Sequence, residues 1–194
     1  MRGVEMIAYH GTIVGGLHTL EPFLNPLGGL KYPVLYLSTN KALSSIYIWS
    51  VWNGKYKWMT FGFRDDGIMV YNESFKNGLF EFYNGVKGYI YTCDADFSPE
   101  KNNPRSNVVI SRESVEIREV EIVENVYERI LQFENEGQLV INRFHQLPDE
   151  IRIRERRIVL DSIKRLELWK RERPLSDFVS EKFPDLWDEA LRSL

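Results

Sequence analysis

Residues 34–52, VLYLSTNKALSSIYIWSVW, constrain this chain more than any other stretch. Val34, Leu35, Tyr36 and Leu37 make a short, almost continuously apolar run, the pattern of a strand buried in a sheet. Thr39 or Asn40 then offers a side-chain oxygen to cap a helix. On that helix Leu43, Ile46, Tyr47 and Ser50 recur at helical spacing, while Ala42, Ile48, Trp49, Val51 and Trp52 widen the face beyond one stripe. A helix this aromatic is either deeply buried or lines a pocket.

The flanking sequence supplies the rest of a sheet. Residues 4–9 read as a first strand ending at His10-Gly11-Thr12, and the turn formers Gly15, Gly16, Pro22, Asn25, Pro26, Gly28 and Gly29 make the next segment a loop. Residues 55–63 alternate, and Asp65-Asp66-Gly67 turns them into residues 68–71, which predicts a hairpin. Residues 73–84 are expected as a short helix or irregular turn, 88–92 as a strand, and the polar stretch 94–106 with its two prolines as a surface loop. NVVIS and VEIREVEIV, within 107–123, predict two more strands. The second alternates imperfectly: Val115, Ile117, Glu119 and Glu121 share one face, and Glu116, Arg118, Val120 and Ile122 the other.

From Glu124 the pattern turns helical. Residues 124–136 stop at Gly137, residues 139–141 are extended, and Pro148 opens a long helix marked by Ile151, Ile158, Val159, Ile163, Leu166 and Trp169 that Pro174 ends. Two short helices are expected at 176–182 and 184–194. The expected fold is a mostly antiparallel α+β core over residues 1–123, with a helical C-terminal extension over residues 124–194 packed on it.

Composition narrows the function. A chain of 194 residues that is 43% hydrophobic can bury a sound core. Its net charge of −3 gives no global reason to bind nucleic acid. The basic run 152–173 is interspersed with acids and reads as the solvated side of a helix, so nucleic acid is not an expected partner. A single cysteine, Cys93, excludes an internal disulfide. No apolar run approaches the roughly 20 residues of a membrane span. The chain is therefore expected to be cytoplasmic and off the membrane. His18, His145 and Cys93 form no zinc pattern, so no metal is expected. There is no GxGxxG, GxxxxGK[ST] or GxSxG sequence.

The chemistry-bearing residues lie in the first quarter. His10 stands where a strand gives way to glycine, a position that presents an imidazole and an approachable backbone together. Tyr36 sits on the organising strand, and Ser44 and Tyr47 fall one helical step apart on its helix. Each alone is ordinary: a histidine bonded to backbone, aromatics in a core. If the two strands are neighbours, they converge on one cleft. Two phenol faces could then stack a flat aromatic amide, with the Gly11 backbone and the Ser44 hydroxyl holding its carboxamide. Nicotinamide fits that description.

The YHGT string followed by LYLSTNKALSSIY resembles the ADP-ribosyltransferase superfamily, in its diphtheria-toxin and poly(ADP-ribose) polymerase branch. The resemblance spans about the first two-thirds of the chain as a strand pattern. It implies a split antiparallel sheet and NAD as substrate. The His10-Gly11-Thr12 turn would bind NAD, with His10 on a ribose hydroxyl, Gly11 and Ser44 on the carboxamide, and Tyr36 and Tyr47 on the two sides of the nicotinamide ring. It also implies an acceptor for ADP-ribose, with a protein expected over nucleic acid. The family's glutamate, which begins a late strand and steadies the oxocarbenium-like state, aligns with Asn107. Asparagine cannot supply that charge. Glu113, just before VEIREVEIV, is the first substitute acid, ahead of Glu73 and Glu81. The expectation is an NAD-binding protein that transfers ADP-ribose to a macromolecule or to water, or else a catalytically inactive module that keeps the cleft.

Overall fold

The computed structural model describes residues 4–24, 31–49, 59–97, 107–170 and 173–193. In chain order the elements are β1 (Val4–Thr12), β2 (Thr19–Leu20), β3 (Leu35–Ser38), α1 (Lys41–Ile46), β4 (Met59–Phe63), β5 (Met69–Glu73), α2 (Gly78–Tyr83) and β6 (Gly88–Phe97). There follow β7 (Val108–Ser111), β8 (Val115–Val123), α3 (Val126–Asn135), β9 (Leu139–Asn142), α4 (Asp149–Arg165), α5 (Arg173–Lys182) and α6 (Pro184–Arg192). The fold is thus α+β. Two compact units form, neither contiguous: Met1–Ser50, Phe63–Met69 and Tyr83–Val140 make the first, and Val51–Gly62, Val70–Phe82 and Ile141–Leu194 the second. α3, assigned from sequence to the C-terminal extension, belongs to the first unit.

The first unit is built on a six-stranded sheet in the order β2-β8-β6-β1-β3-β7, and its paired neighbours run antiparallel. Ala8, Leu35, Leu37, Tyr91, Cys93, Val109 and Val115 pack together on one face with Leu20. Gly11, an odd number of residues from Ala8, faces the other way, and there α1 lies against the sheet. A Cβ on Gly11 would stand 1.8 Å from the Ser44 carbonyl oxygen, and one on Gly88 would stand 2.1 Å from Cγ2 of Ile48. Glycine is required at both positions because the helix and its exit occupy the side-chain volume. Asn40 caps the helix by accepting from the Leu43 amide at 2.9 Å, and Tyr83 donates to the Ile46 carbonyl at 2.8 Å.

β1 pairs with β6 along its whole length, from Val4↔Phe97 to Thr12↔Tyr89, but with β3 at one position, Tyr9↔Ser38. Beyond that pair the two strands part, and β3 continues against β7.

Several elements differ in extent from the sequence reading. β1 runs on through His10 to Thr12, and β6 extends over residues 94–97, read as loop, because they pair with the start of β1. α1 spans six residues and closes at Tyr47, whose amide donates to the Ser44 carbonyl; Ser50, Val51 and Trp52 lie outside the described residues, as do residues 55–58 of the expected hairpin strand. The uneven alternation of β8 has a cause: a bulge at Thr92/Cys93 pairs Thr92 with Glu119 and Cys93 with Ile117. The skipped residue, Arg118, exchanges the faces of the strand, so Val115 and Ile117, which pack in the core, share a face with Val120 and Ile122, which are 53% and 64% exposed. α4 ends at Arg165, well before Pro174, where Glu167 adopts a positive φ of 46°. Pro174 instead occupies the first turn of α5, where its missing N–H costs nothing. Trp169 falls in a separate 3-10 turn, Leu168–Lys170.

The second unit packs its helices around aromatic side chains. The Phe75 ring meets Phe82, Phe178 and Phe183 edge-on at 5.5, 6.0 and 5.8 Å between centroids. Buried Glu155 on α4 accepts from the Thr60 and Ser74 hydroxyls. Among the described residues no helix is long and apolar enough to cross a membrane.

The seat of α1 is testable. Gly11→Ala should lower the free energy of unfolding by about 3 kcal/mol, the upper range for overpacking, in a denaturant titration. A loss below about 1 kcal/mol would mean that α1 can move aside.

Candidate functional site

The parting of β1 and β3 opens a cleft of about 520 Å³ in the first unit, lined by His10, Gly11, Thr12, Tyr36, Ser44 and Tyr47, with Tyr9, Phe23, Leu37, Ser38 and Val108. The first six are the residues singled out as binding candidates from the sequence, and the structure brings them to one hollow. They arrive from three elements: β1 through residues 9–12, β3 through residues 36–38, and α1 through Ser44 and its C-cap Tyr47. Tyr47 is 49% exposed, toward the cleft rather than sunk in the core, and partial desolvation still raises its phenol pKa.

His10 closes part of the gap between the strands. Its Nδ1 lies 2.9 Å from the Tyr36 carbonyl oxygen. A carbonyl only accepts, so Nδ1 carries the proton and the neutral ring keeps Nε2 as an acceptor. Burial holds the imidazole below its usual pKa, outweighing the opposing pull of that hydrogen bond. The ring is therefore neutral at pH 7, able to accept from a hydroxyl. Ser44 is buried and donates to the Lys41 carbonyl at 2.7 Å, which leaves its oxygen lone pairs for a donor such as an amide N–H.

The cleft is uncharged and aromatic. Among the described lining residues there is neither a carboxylate nor an ammonium or guanidinium group, and four rings, Tyr9, Phe23, Tyr36 and Tyr47, contribute. Such walls suit a flat ring, and a cationic one most of all, because ring faces carry partial negative charge.

The candidate acids are elsewhere. Glu113 is exposed in the β7–β8 turn, engaged through its backbone with Ser111, at the end of β7 opposite Val108, and does not line the cleft. Asn107 immediately precedes the cleft residue Val108. Its φ is +51°, its carbonyl accepts from the Thr39 amide at 2.9 Å and the Ser38 hydroxyl at 3.0 Å, and its side-chain oxygen accepts from the Thr39 hydroxyl at 3.4 Å. Glu73 accepts from the Leu79 and Phe144 amides, and Glu81 pairs with Lys182 at 2.8 Å, all within the second unit. Tyr9, Phe23, Leu37, Ser38 and Val108 were not foreseen. Tyr9 and Ser38 adjoin the motif residues and face each other in the sheet, which their positions hinted at. Phe23 comes from a loop of turn formers, where one aromatic residue carried no signal. No group of three or more His, Cys, Asp or Glu among the described residues is placed to hold a metal ion.

The His10 environment predicts a pH effect. Its folded pKa is depressed, so its contribution to stability is complete above the ordinary imidazole value of about 6.5 and is lost as pH falls through the folded value. The melting temperature should fall between about pH 7 and about pH 5, and fall less in His10→Gln, which can still donate to the Tyr36 carbonyl. Equal falls in the two proteins would remove the imidazole from the account.

Comparison with known proteins returned no matching family, no matching curated protein and no matching solved structure.

Proposed function

We propose that this chain is an ADP-ribosyltransferase-like protein that binds NAD by its nicotinamide end in the β1–β3 cleft. The observation that carries the reading is the convergence of His10, Gly11, Thr12, Tyr36, Ser44 and Tyr47 on one uncharged, aromatic hollow. The parting of β1 from β3 after Tyr9↔Ser38 supports a split-sheet core of that superfamily's kind. In the bound state the nicotinamide ring, a pyridinium in NAD, lies between the Tyr36 and Tyr47 phenols. The Gly11 backbone and the Ser44 oxygen hold its carboxamide, and Nε2 of His10 accepts from a ribose hydroxyl.

Binding rather than rapid transfer is the function this geometry supports best. Breaking the glycosidic bond develops positive charge on the ribose, which a nearby carboxylate would stabilise. Glu113 is remote from the cleft, and the position beside it holds Asn107. Slow transfer of ADP-ribose to a protein or to water is the second reading, favoured by the acceptor lone pair His10 keeps toward the cleft.

Two measurements test these readings. Tyr47→Ala should weaken nicotinamide binding about fivefold, the loss of one stacking face worth about 1 kcal/mol. No heat and no thermal shift with millimolar nicotinamide on the parent protein would end the proposal. Asn107→Glu should release nicotinamide from NAD measurably faster than the parent or Asn107→Ala, at the expense of about 1 kcal/mol of stability for a non-glycine, non-asparagine residue at positive φ. Identical rates in all three would show that residue 107 does not face the ribose.

A further inference from the structure

Charge changes sign between two neighbouring helices on the surface of the second unit. The basic run of α4 is interspersed with acids in sequence, but Glu155 is buried and bonded to the Thr60 and Ser74 hydroxyls, so it neutralises nothing at the surface. Asp149, Glu150 and Asp161 are the acids that remain there, and the arginines and lysines of α4 outnumber them. Asp149 pairs with Arg152 at 3.1 Å and Asp161 reaches Arg157 only at 3.9 Å. Among the described residues, Arg154 and Arg165 are exposed and form no ion pair. The outward face of α4 also holds Ile158 and Ile153, the latter 67% exposed and more so than any other large apolar side chain described.

α6 has the opposite character. Leu186 and Ala190 turn inward, while Asp185, Asp188 and Glu189 are exposed with Leu191, which is 40% exposed. The one cation of α6, Arg192, is directed at its own helix, where Nε donates to the Asp188 carbonyl at 3.3 Å. The two helices are joined by the Arg156–Asp185 ion pair, half-exposed at both ends, so their outer faces adjoin. One helix presents cations around isoleucine, and its neighbour presents acids around leucine.

We infer that this strip is the contact between two copies of the chain, α4 of each lying on α6 of the other. A two-fold axis running between the helices and along them sets a basic face on an acidic one on both sides at once, and the assembly closes at two copies. Stacking α4 on α4 or α6 on α6 would instead bring like charges together. Nucleic acid fits the strip poorly, because its phosphates would meet the acids of α6. Neither helix contributes a residue to the β1–β3 cleft, so the inference stands apart from the nicotinamide reading.

Sedimentation equilibrium of the full chain at submillimolar concentration tests the dimer. The parent should show a monomer–dimer equilibrium that weakens as salt rises, because exposed charges are screened. Arg154→Glu combined with Arg157→Glu should weaken it about a hundredfold, since a two-fold contact sets the like charges against each other twice. Asp188→Lys combined with Glu189→Lys should do the same. Mixing these two charge-reversed proteins should restore a mixed dimer, because the acidic α4 of one then meets the basic α6 of the other. A parent that stays monomeric would overturn the inference and leave the strip to a different macromolecule. Charge-reversed proteins that dimerise like the parent, or that remain apart when mixed, would overturn it as well. Should either fail to fold, Ile153→Asp decides: loss of the dimer supports the contact, and an unchanged dimer places it elsewhere.

Discussion

The contact between α1 and β1 at Gly11 is the constraint on which the site depends. The Ser44 carbonyl oxygen occupies the space of the missing side chain, and Ile48 does the same over Gly88 on the neighbouring strand. A helix of six residues has little intrinsic stability, so its position is set by what it packs against rather than by its own hydrogen bonds. With α1 seated so closely, Ser44 and Tyr47 come within the same hollow as His10, which lies 34 residues earlier than Ser44 by sequence number.

The second requirement is the parting of β1 and β3. A continuous ladder would cover the backbone edges of residues 10–12 and 35–37 and leave no room for a ligand. One paired position holds the strands together, and the His10 ring then spans the gap to the Tyr36 carbonyl. That hydrogen bond satisfies a strand carbonyl and also fixes the imidazole tautomer, so a structural contact determines the chemical character of the cleft. The same burial that keeps His10 neutral favours hydroxyl and amide partners over anions.

Where the sequence misled, a nonlocal contact had intervened. Periodicity in β8 is broken because Arg118 is an extra residue in its pairing with β6, and which residue of the strand is skipped is decided by the register against that neighbour. Pro174 looked like a stop for α4 because proline ends helices as readily as it begins them; the positive φ at Glu167 had already ended that helix. The polar start of residues 94–106 read as loop, yet Asp94 to Phe97 are held in β6 by pairing with β1. Glu113 looked available as an acid because its distance from the cleft depends on how β7 pairs with β3. That register, Ser38↔Val108 and Leu35↔Ser111, sends it to the far end.

By itself the sequence determined the α+β class, most strands and helices, and a short set of cleft residues, since alternation, helical spacing, caps and glycine requirements are local properties of the chain. Tertiary structure alone decided that the chain divides into two discontinuous units and that the asparagine rather than the glutamate of the late strands stands next to a residue lining the hollow. Those outcomes follow from strand register and from where one short helix comes to rest, and both are set by contacts between residues far apart in sequence.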